Sequence, residues 1–181
     1  MKKIFAIAAM ALLTLSASAQ KIARVNFTEL VQLMPESDKA RETMSAASKE
    51  DDETYKTMVE EFQSKYQQYQ QKASTWTASI KESKERELSD MQQRIQEFQQ
   101  SVSQELQEQQ STLMAPIYQK AQEEVQKLAK GLGVDVLLDS SSALYFGDAV
   151  IDITADARKA LGIPEGRTLE QLQQEMAAQQ Q

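Results

Sequence analysis

The sequence predicts an α+β fold that is mostly α: a long antiparallel helical hairpin, a coiled-coil arm, projecting from a small β head that oligomerises. Three observations carry that prediction. Two polar stretches hold apolar residues at steps of three and four, over 40–76 and 88–128. Short runs of alternating apolar residues stand before the first stretch and after the second. Between the stretches the pattern weakens into Ser, Thr and Lys, and the two stripes can be laid against each other in antiparallel register.

The expected organisation follows the chain. Residues 1–19 are a signal peptide, 20–34 and 131–162 a discontinuous β-rich head, 35–130 the helical arm, and 163–181 a C-terminal amphipathic turn with a flexible tail. Lys2 and Lys3 form a basic start, Ile4 to Leu15 is an apolar run of twelve, and Ala17-Ser18-Ala19 supplies a small-x-small cleavage pattern. The run is short for a bilayer span, so cleavage after Ala19 and export are expected. No cysteine is present, which removes both a lipid-attachment site after the cleavage point and any disulfide framework.

Without Lys2 and Lys3 the chain keeps 18 basic against 27 acidic residues, a formal charge of −9. That balance argues against a nucleic-acid binder, whose footprint is basic. Histidine is absent as well, and with it and cysteine go the usual general bases, nucleophiles and transition-metal ligands. A carboxylate enzyme such as a glycosidase needs two carboxylates at a set separation in a cleft, which this composition offers little to build. No cofactor is expected. The acidic cluster Glu50 to Glu53 does not read as a metal site, because consecutive helical carboxylates point in different directions and no calcium-loop spacing is present.

Lys21 to Phe27 reads as a strand with Ala23, Val25 and Phe27 on one face. Thr28 is placed as the N-cap of a short helical turn over 29–34, and Pro35 suits the first position of the long helix that follows. The first stripe is Ala40, Met44, Ala47, Tyr55, Met58, Phe62, Tyr66, Tyr69, Ala73 and Trp76. The second is Leu88, Met91, Ile95, Phe98, Val102, Leu106, Leu113, Ile117, Ala121, Val125 and Leu128. At about 1.5 Å per residue, 88–128 is a rod of roughly 60 Å that needs a partner.

A reversal near residue 78 makes facing residues sum to about 156 for an antiparallel pair of equal rise. Tyr66 then meets Met91, Phe62 meets Ile95, Met58 meets Phe98, Tyr55 meets Val102, Met44 meets Leu113 and Ala40 meets Ile117. Lys49 to Thr54 has no apolar residue and falls opposite 103–107, where only Leu106 is apolar, so the arm has a polar waist expected to flex. Pro116 is expected to kink or break the second helix.

Gly131 and Gly133 end that helix. Val134 to Asp139 reads as a strand, Ser140 to Ser142 as a turn and Ala143 to Phe146 as another strand. Gly147-Asp148 reads as a hairpin turn from which Ala149 to Ile153 returns antiparallel. Thr154 is placed as N-cap of a helix that Gly162 closes, and Thr168 as cap of a last turn with Leu169, Leu172 and Met176. The final glutamine run is expected to be disordered. About four short strands bury too little apolar area to fold alone, so shared burial between copies is expected.

Lys21-Ile22-Ala23-Arg24-Val25-Asn26, the polar hairpin, Val134-Asp135-Val136-Leu137-Leu138-Asp139 and Asp152-Ile153-Thr154-Ala155-Asp156 resemble the Skp/OmpH family of periplasmic chaperones. The resemblance covers nearly the whole chain behind the signal, in the same order. It implies a homotrimer in the periplasm, whose joined heads carry three helical arms around a cavity. It further implies unfolded outer-membrane proteins as clients, held without ATP and passed to the outer-membrane assembly machinery. The best-known members are strongly basic, whereas 34–130 here carries 13 basic and 18 acidic residues, which counts against contact with lipopolysaccharide or an anionic membrane.

The aromatic and Met stripe reads first as the seam between the helices. A two-helix arm has no third layer to cover the stripe edges, so Met58, Phe62, Tyr66, Tyr69, Trp76, Ile80 and Phe98 are also the expected client-binding residues. Trp76 and Ile80, near the tip, serve equally well as a staple for the turn or as an apolar fingertip. Ile22, Val25, Val134, Val136, Leu138 and Tyr145 are the expected oligomer contacts of the head. The Asp152–Asp156 segment has no evident catalytic requirement and reads as structural. The alternative to a holdase is a structural coiled-coil adaptor or spacer of the cell envelope.

Overall fold

The computed structural model describes residues 20–179; the expected signal peptide, 1–19, and the last two glutamines lie outside the described residues. Long helices and a small sheet make up the fold. The described residues divide into two compact units: an α/β unit, 20–33 with 120–179, and a helical hairpin, Met34–Gln119.

The α/β unit opens with β1 (Ile22–Val25), in which Ala23 and Val25 are buried. The strand stops before Phe27 because Asn26 starts helix α1 (Phe27–Leu33). The Asn26 side-chain oxygen accepts the Glu29 N–H at 3.2 Å, and its amide donates to the Glu29 carboxylate at 2.8 Å. This reciprocal box caps the helix at Asn26, not at Thr28 as expected. Two turns of helix are marginal alone. Leu30, Val31 and Leu33, all buried, hold α1 to the unit's core.

The core continues through Ala121, Val125 and Ala129, on the last turns of a long helix (Ala78–Gly131; α3 below). That helix ends as its glycines predict. Gly133 sits at φ +65°, its N–H donates to the Lys130 carbonyl at 3.1 Å, and the Val134 N–H reaches back to Ala129 at 3.0 Å. These two bonds satisfy carbonyls that the helix leaves open. They also hold Val134 out of the sheet, so β2 spans Val136–Asp139, two residues shorter than expected.

The sheet has three strands in the order β2-β1-β3, with β3 at Ile151–Asp152. Both pairings are parallel: Ile22 lies opposite Val136, Val25 opposite Asp139, and Arg24 opposite Asp152. This corrects the expected antiparallel hairpin. Residues 143–146 form no strand, and the run from 140 to 150 is instead the connection between the two strands that flank β1. A two-residue turn joins antiparallel neighbours only, whereas parallel strands need a longer crossover. The Gly147 turn exists, closed by the Val150 N–H to the Gly147 carbonyl at 3.0 Å, but it serves that crossover.

After β3 comes α4 (Thr154–Ala160), closed by Gly162 at φ +67°. Its first N–H, that of Thr154, is taken by the Asp152 carboxylate at 2.9 Å, and the cap position is Ile153, not Thr154 as expected. The unit ends with α5 (Leu169–Gln179).

In the hairpin unit, α2 runs from Pro35 to Lys72 and starts on its proline, as expected. A 3-10 turn, Ala73–Thr75, and Trp76-Thr77 lead into α3 (Ala78–Gly131). The reversal therefore lies between Lys72 and Ala78, and not at 78. Cross-helix hydrogen bonds from Lys65 to Glu87 and from Tyr69 to Glu85 total 152 and 154 in residue number. The facing pairs thus slip by two to four residues, which brings Met91 opposite 61–63 and away from Tyr66. Helix α3 passes Pro116 without the expected break. Pro116 and Thr112 are both exposed, so water can satisfy the carbonyl left without a donor.

Candidate functional site

Two regions carry the candidate residues. Along the hairpin, apolar side chains recur on facing helices that have no third layer in the unit. Between Met44 and Leu113 only one apolar side chain, Met91, is buried, at 3% exposure. Met58, Phe62, Tyr69, Trp76 and Phe98 are half-buried, while Tyr66 and Ile80 are 46% and 44% exposed. Phe62 and Tyr66 stack with ring centroids 6.1 Å apart, and Tyr69 meets Trp76 edge-on at 5.9 Å. The structure thus joins four of the seven predicted residues into two aromatic pairs. No such ring contact links Phe98 to them among the described residues.

Charged side chains flank this stripe near the reversal. Glu87 accepts from Lys65 across the hairpin and from Lys84 on its own helix at 2.7 Å, and Glu61 lies 3.7 Å from Lys65. Hydrogen bonds from Lys65 and then Lys84 pull the Glu87 carboxyl down to about 2. Its bond to Glu87 likewise holds Lys65 above its usual range, and the Glu85 carboxylate holds the Tyr69 hydroxyl above its own. The periodic pattern did not reveal this network, because it concerns polar positions; only the correct reversal point would have paired 65 with 87.

The second region is the strand-end junction of the α/β unit. Asp139, at the end of β2, accepts from the Phe27 N–H at 3.1 Å and from the Ser141 N–H at 2.8 Å, and also from the Ser141 hydroxyl. The Ser141 hydroxyl is the main cause of its lowered pKa, with burial opposing and the main-chain donors adding. Burial pushes Asp152 up, but donation from Thr154 and then the nearby Arg24 guanidinium, 3.0 Å away, leave it lowered. Thr154 Oγ1 accepts the Asn26 N–H at 3.1 Å. These polar groups satisfy one another. The Asp152–Asp156 segment is thereby explained as a joint between β1, β3 and α4.

Of the expected oligomer residues, Val25 belongs to the unit's own core. Ile22, Val134 and Leu138 are half-buried, whereas Val136 is 38% and Tyr145 79% exposed. Ile22 and Val136 are direct neighbours across β1 and β2. Leu144, which the sequence reading did not single out, is fully exposed beside Tyr145. Next to them Phe146 lies under the Arg24 guanidinium, 5.4 Å from its ring centre.

Among the described residues, no group of three or more His, Cys, Asp or Glu is placed to hold a metal ion. No described helix is long and apolar enough to cross a membrane.

A long polar helical hairpin and a small parallel α/β unit, in one chain, define the class of protein. The chain belongs to the OmpH-like family, whose model, described as "Outer membrane protein (OmpH-like)", matches residues 21–161. Two curated relatives are both named "Chaperone protein Skp". The one from Pectobacterium atrosepticum is 29% identical over 142 residues, covering 78% of this chain and 86% of the relative. The one from Yersinia enterocolitica is 30% identical over 144 residues, covering 80% and 87%. The family read from the strand motifs is the one these comparisons show.

Proposed function

We propose that this chain is an ATP-independent holdase chaperone that keeps unfolded outer-membrane proteins from aggregating in the periplasm. The observation that carries the proposal is the open stripe: along the paired helices Met91 alone is a buried apolar side chain between Met44 and Leu113. A spacer gains nothing from leaving aromatic and Met side chains half-covered. A surface that must hold many sequences weakly gains adaptable contacts, which Met and aromatic residues supply. The names of the relatives point the same way.

In this reading the signal is cleaved after Ala19, the head is 20–34 with 131–162, and 35–130 is an arm. Three copies join through their heads and the arms enclose a client, which is later passed to the assembly machinery. The three-stranded sheet supports joining, because β2 and β3 each keep an open edge and Val136, Leu144, Tyr145 and Ile151 are exposed around them. Head contacts are then made by Ile22, Val134, Val136, Leu138 and Tyr145, with Val25 supporting them from the core.

The test is light scattering of an unfolded outer-membrane barrel diluted from urea with and without the protein. Suppression is expected for the natural chain and a loss of several-fold for Phe62→Ser with Phe98→Ser, at unchanged helical content. Equal suppression by that double variant would remove the stripe from the client site.

A further inference from the structure

The family match ends at residue 161, yet the described chain continues in a well-specified element. Ile163 is buried, Gly166 turns the chain at φ +82°, and α5 opens with a reciprocal capping pair. The Thr168 hydroxyl accepts the Gln171 N–H, and the Gln171 side chain accepts the Thr168 N–H, both at 3.2 Å. Helix α5 packs on α1, and Leu172, at 6% exposure, is its buried residue. Arg167, just before the helix, pairs with Glu175 on it at 3.2 Å.

One guanidinium ties this segment to the rest of the unit. Arg158, on α4, donates to the Glu29 carboxylate of α1 at 2.8 Å and to the Arg167 carbonyl at the entry to α5. Glu29 is itself the partner of the Asn26 cap of α1. The cap of α1, the body of α4 and the entry to α5 therefore share one set of charge-assisted bonds. We infer that residues 163–179 are a C-terminal strap, beyond the part of the chain that defines the family, which clamps the two-turn helix α1 against α4. A helix as short as α1 depends on what covers it. The strap is fastened through Leu172 on one side and Arg158 on the other. Elements held by so few buried groups open locally before the unit as a whole.

Hydrogen exchange on the full chain tests this, comparing Leu172→Ala with Gln173→Ala at the exposed neighbouring position. The strap predicts that L172A speeds exchange about tenfold or more at the amides of α1 as well as α5, while amides at Phe62 and Phe98 keep their protection and Q173A changes neither helix. Faster exchange in α5 alone would make it a passive appendage and overturn the inference, as would no change in either helix. Gln171→Ala, which removes the side-chain half of the capping pair and leaves Leu172 in place, gives a second arm if L172A does not fold. It must move α1 and α5 together, by a smaller factor, or the inference fails.

Discussion

The Thr154 hydroxyl accepts the main-chain N–H of Asn26 at 3.1 Å, so the residue that opens α4 also closes the end of β1. Valine keeps the shape of threonine and removes that acceptor. Thr154→Val should cost about 1–3 kcal/mol in the α/β unit, the penalty of leaving a partly buried donor unpaired. Thr154→Ser should cost much less. Urea denaturation followed by a probe in the α/β unit checks the pair, and equal losses for V and S would assign the role to packing.

Gly133 stands at φ +65° with open space where a Cβ would go, so the demand on it is purely conformational. Gly133→Ala should lower stability by about 1–2 kcal/mol, the cost of forcing an L-residue into the left-handed region. Gly131 lies within α3, and Gly131→Ala should be neutral or stabilising there. A comparison of the two melting temperatures separates the left-handed position at Gly133 from the last helical position at Gly131.

The Glu87 carboxyl titrates at about 2 in the folded chain, against an ordinary 4.5. A depressed carboxylate pKa means that its stabilising bonds to Lys65 and Lys84 are complete above about 4.5 and fade as pH falls towards 2. Amides near the reversal, around Lys65 and Glu87, should therefore lose protection across that window. In Glu87→Gln the same amides should start less protected at pH 7 and vary less with pH. Identical pH profiles for both proteins would contradict the account.

The polar waist gives a fourth test. Glu50, Asp52 and Glu53 are exposed along an unbroken α2, and no apolar side chain lies between Lys49 and Thr54. Helical stability in proteins comes mainly from packing of an apolar face, so this stretch should open at lower cost than its surroundings. Amide exchange at 50–53 should be at least tenfold faster than at Phe62 and Phe98. Equal protection would remove flexing at the waist from the account.

The long helices were legible because their periodicity is carried by many residues at once, and Pro35 and Gly133 mark two of their ends by fixed conformational demands. The register of the hairpin was less so. The weak pattern over 73–84 hides the reversal, and a shift of one or two residues there moves every facing pair by two to four. The sheet was misread for a different reason. Ala143 to Phe146 and Gly147-Asp148 carry the local marks of a hairpin, but strand direction depends on which strands β1 brings to its two sides. The Asn26–Glu29 box was present in the sequence, where Thr28 competed with it as a cap. At the candidate site, the stripe was legible as a helical face. Its incomplete cover follows from the two-helix depth of the unit, and the Lys65–Glu87 bond depends on the register that the pattern left blurred.

The central claim is that copies of this chain assemble and enclose one unfolded client. Light-scattering mass in solution, measured with and without an unfolded outer-membrane barrel, addresses it most directly. The account predicts the mass of three chains alone, and of three chains plus one barrel after mixing. A single-chain mass that does not change on adding the barrel would contradict it.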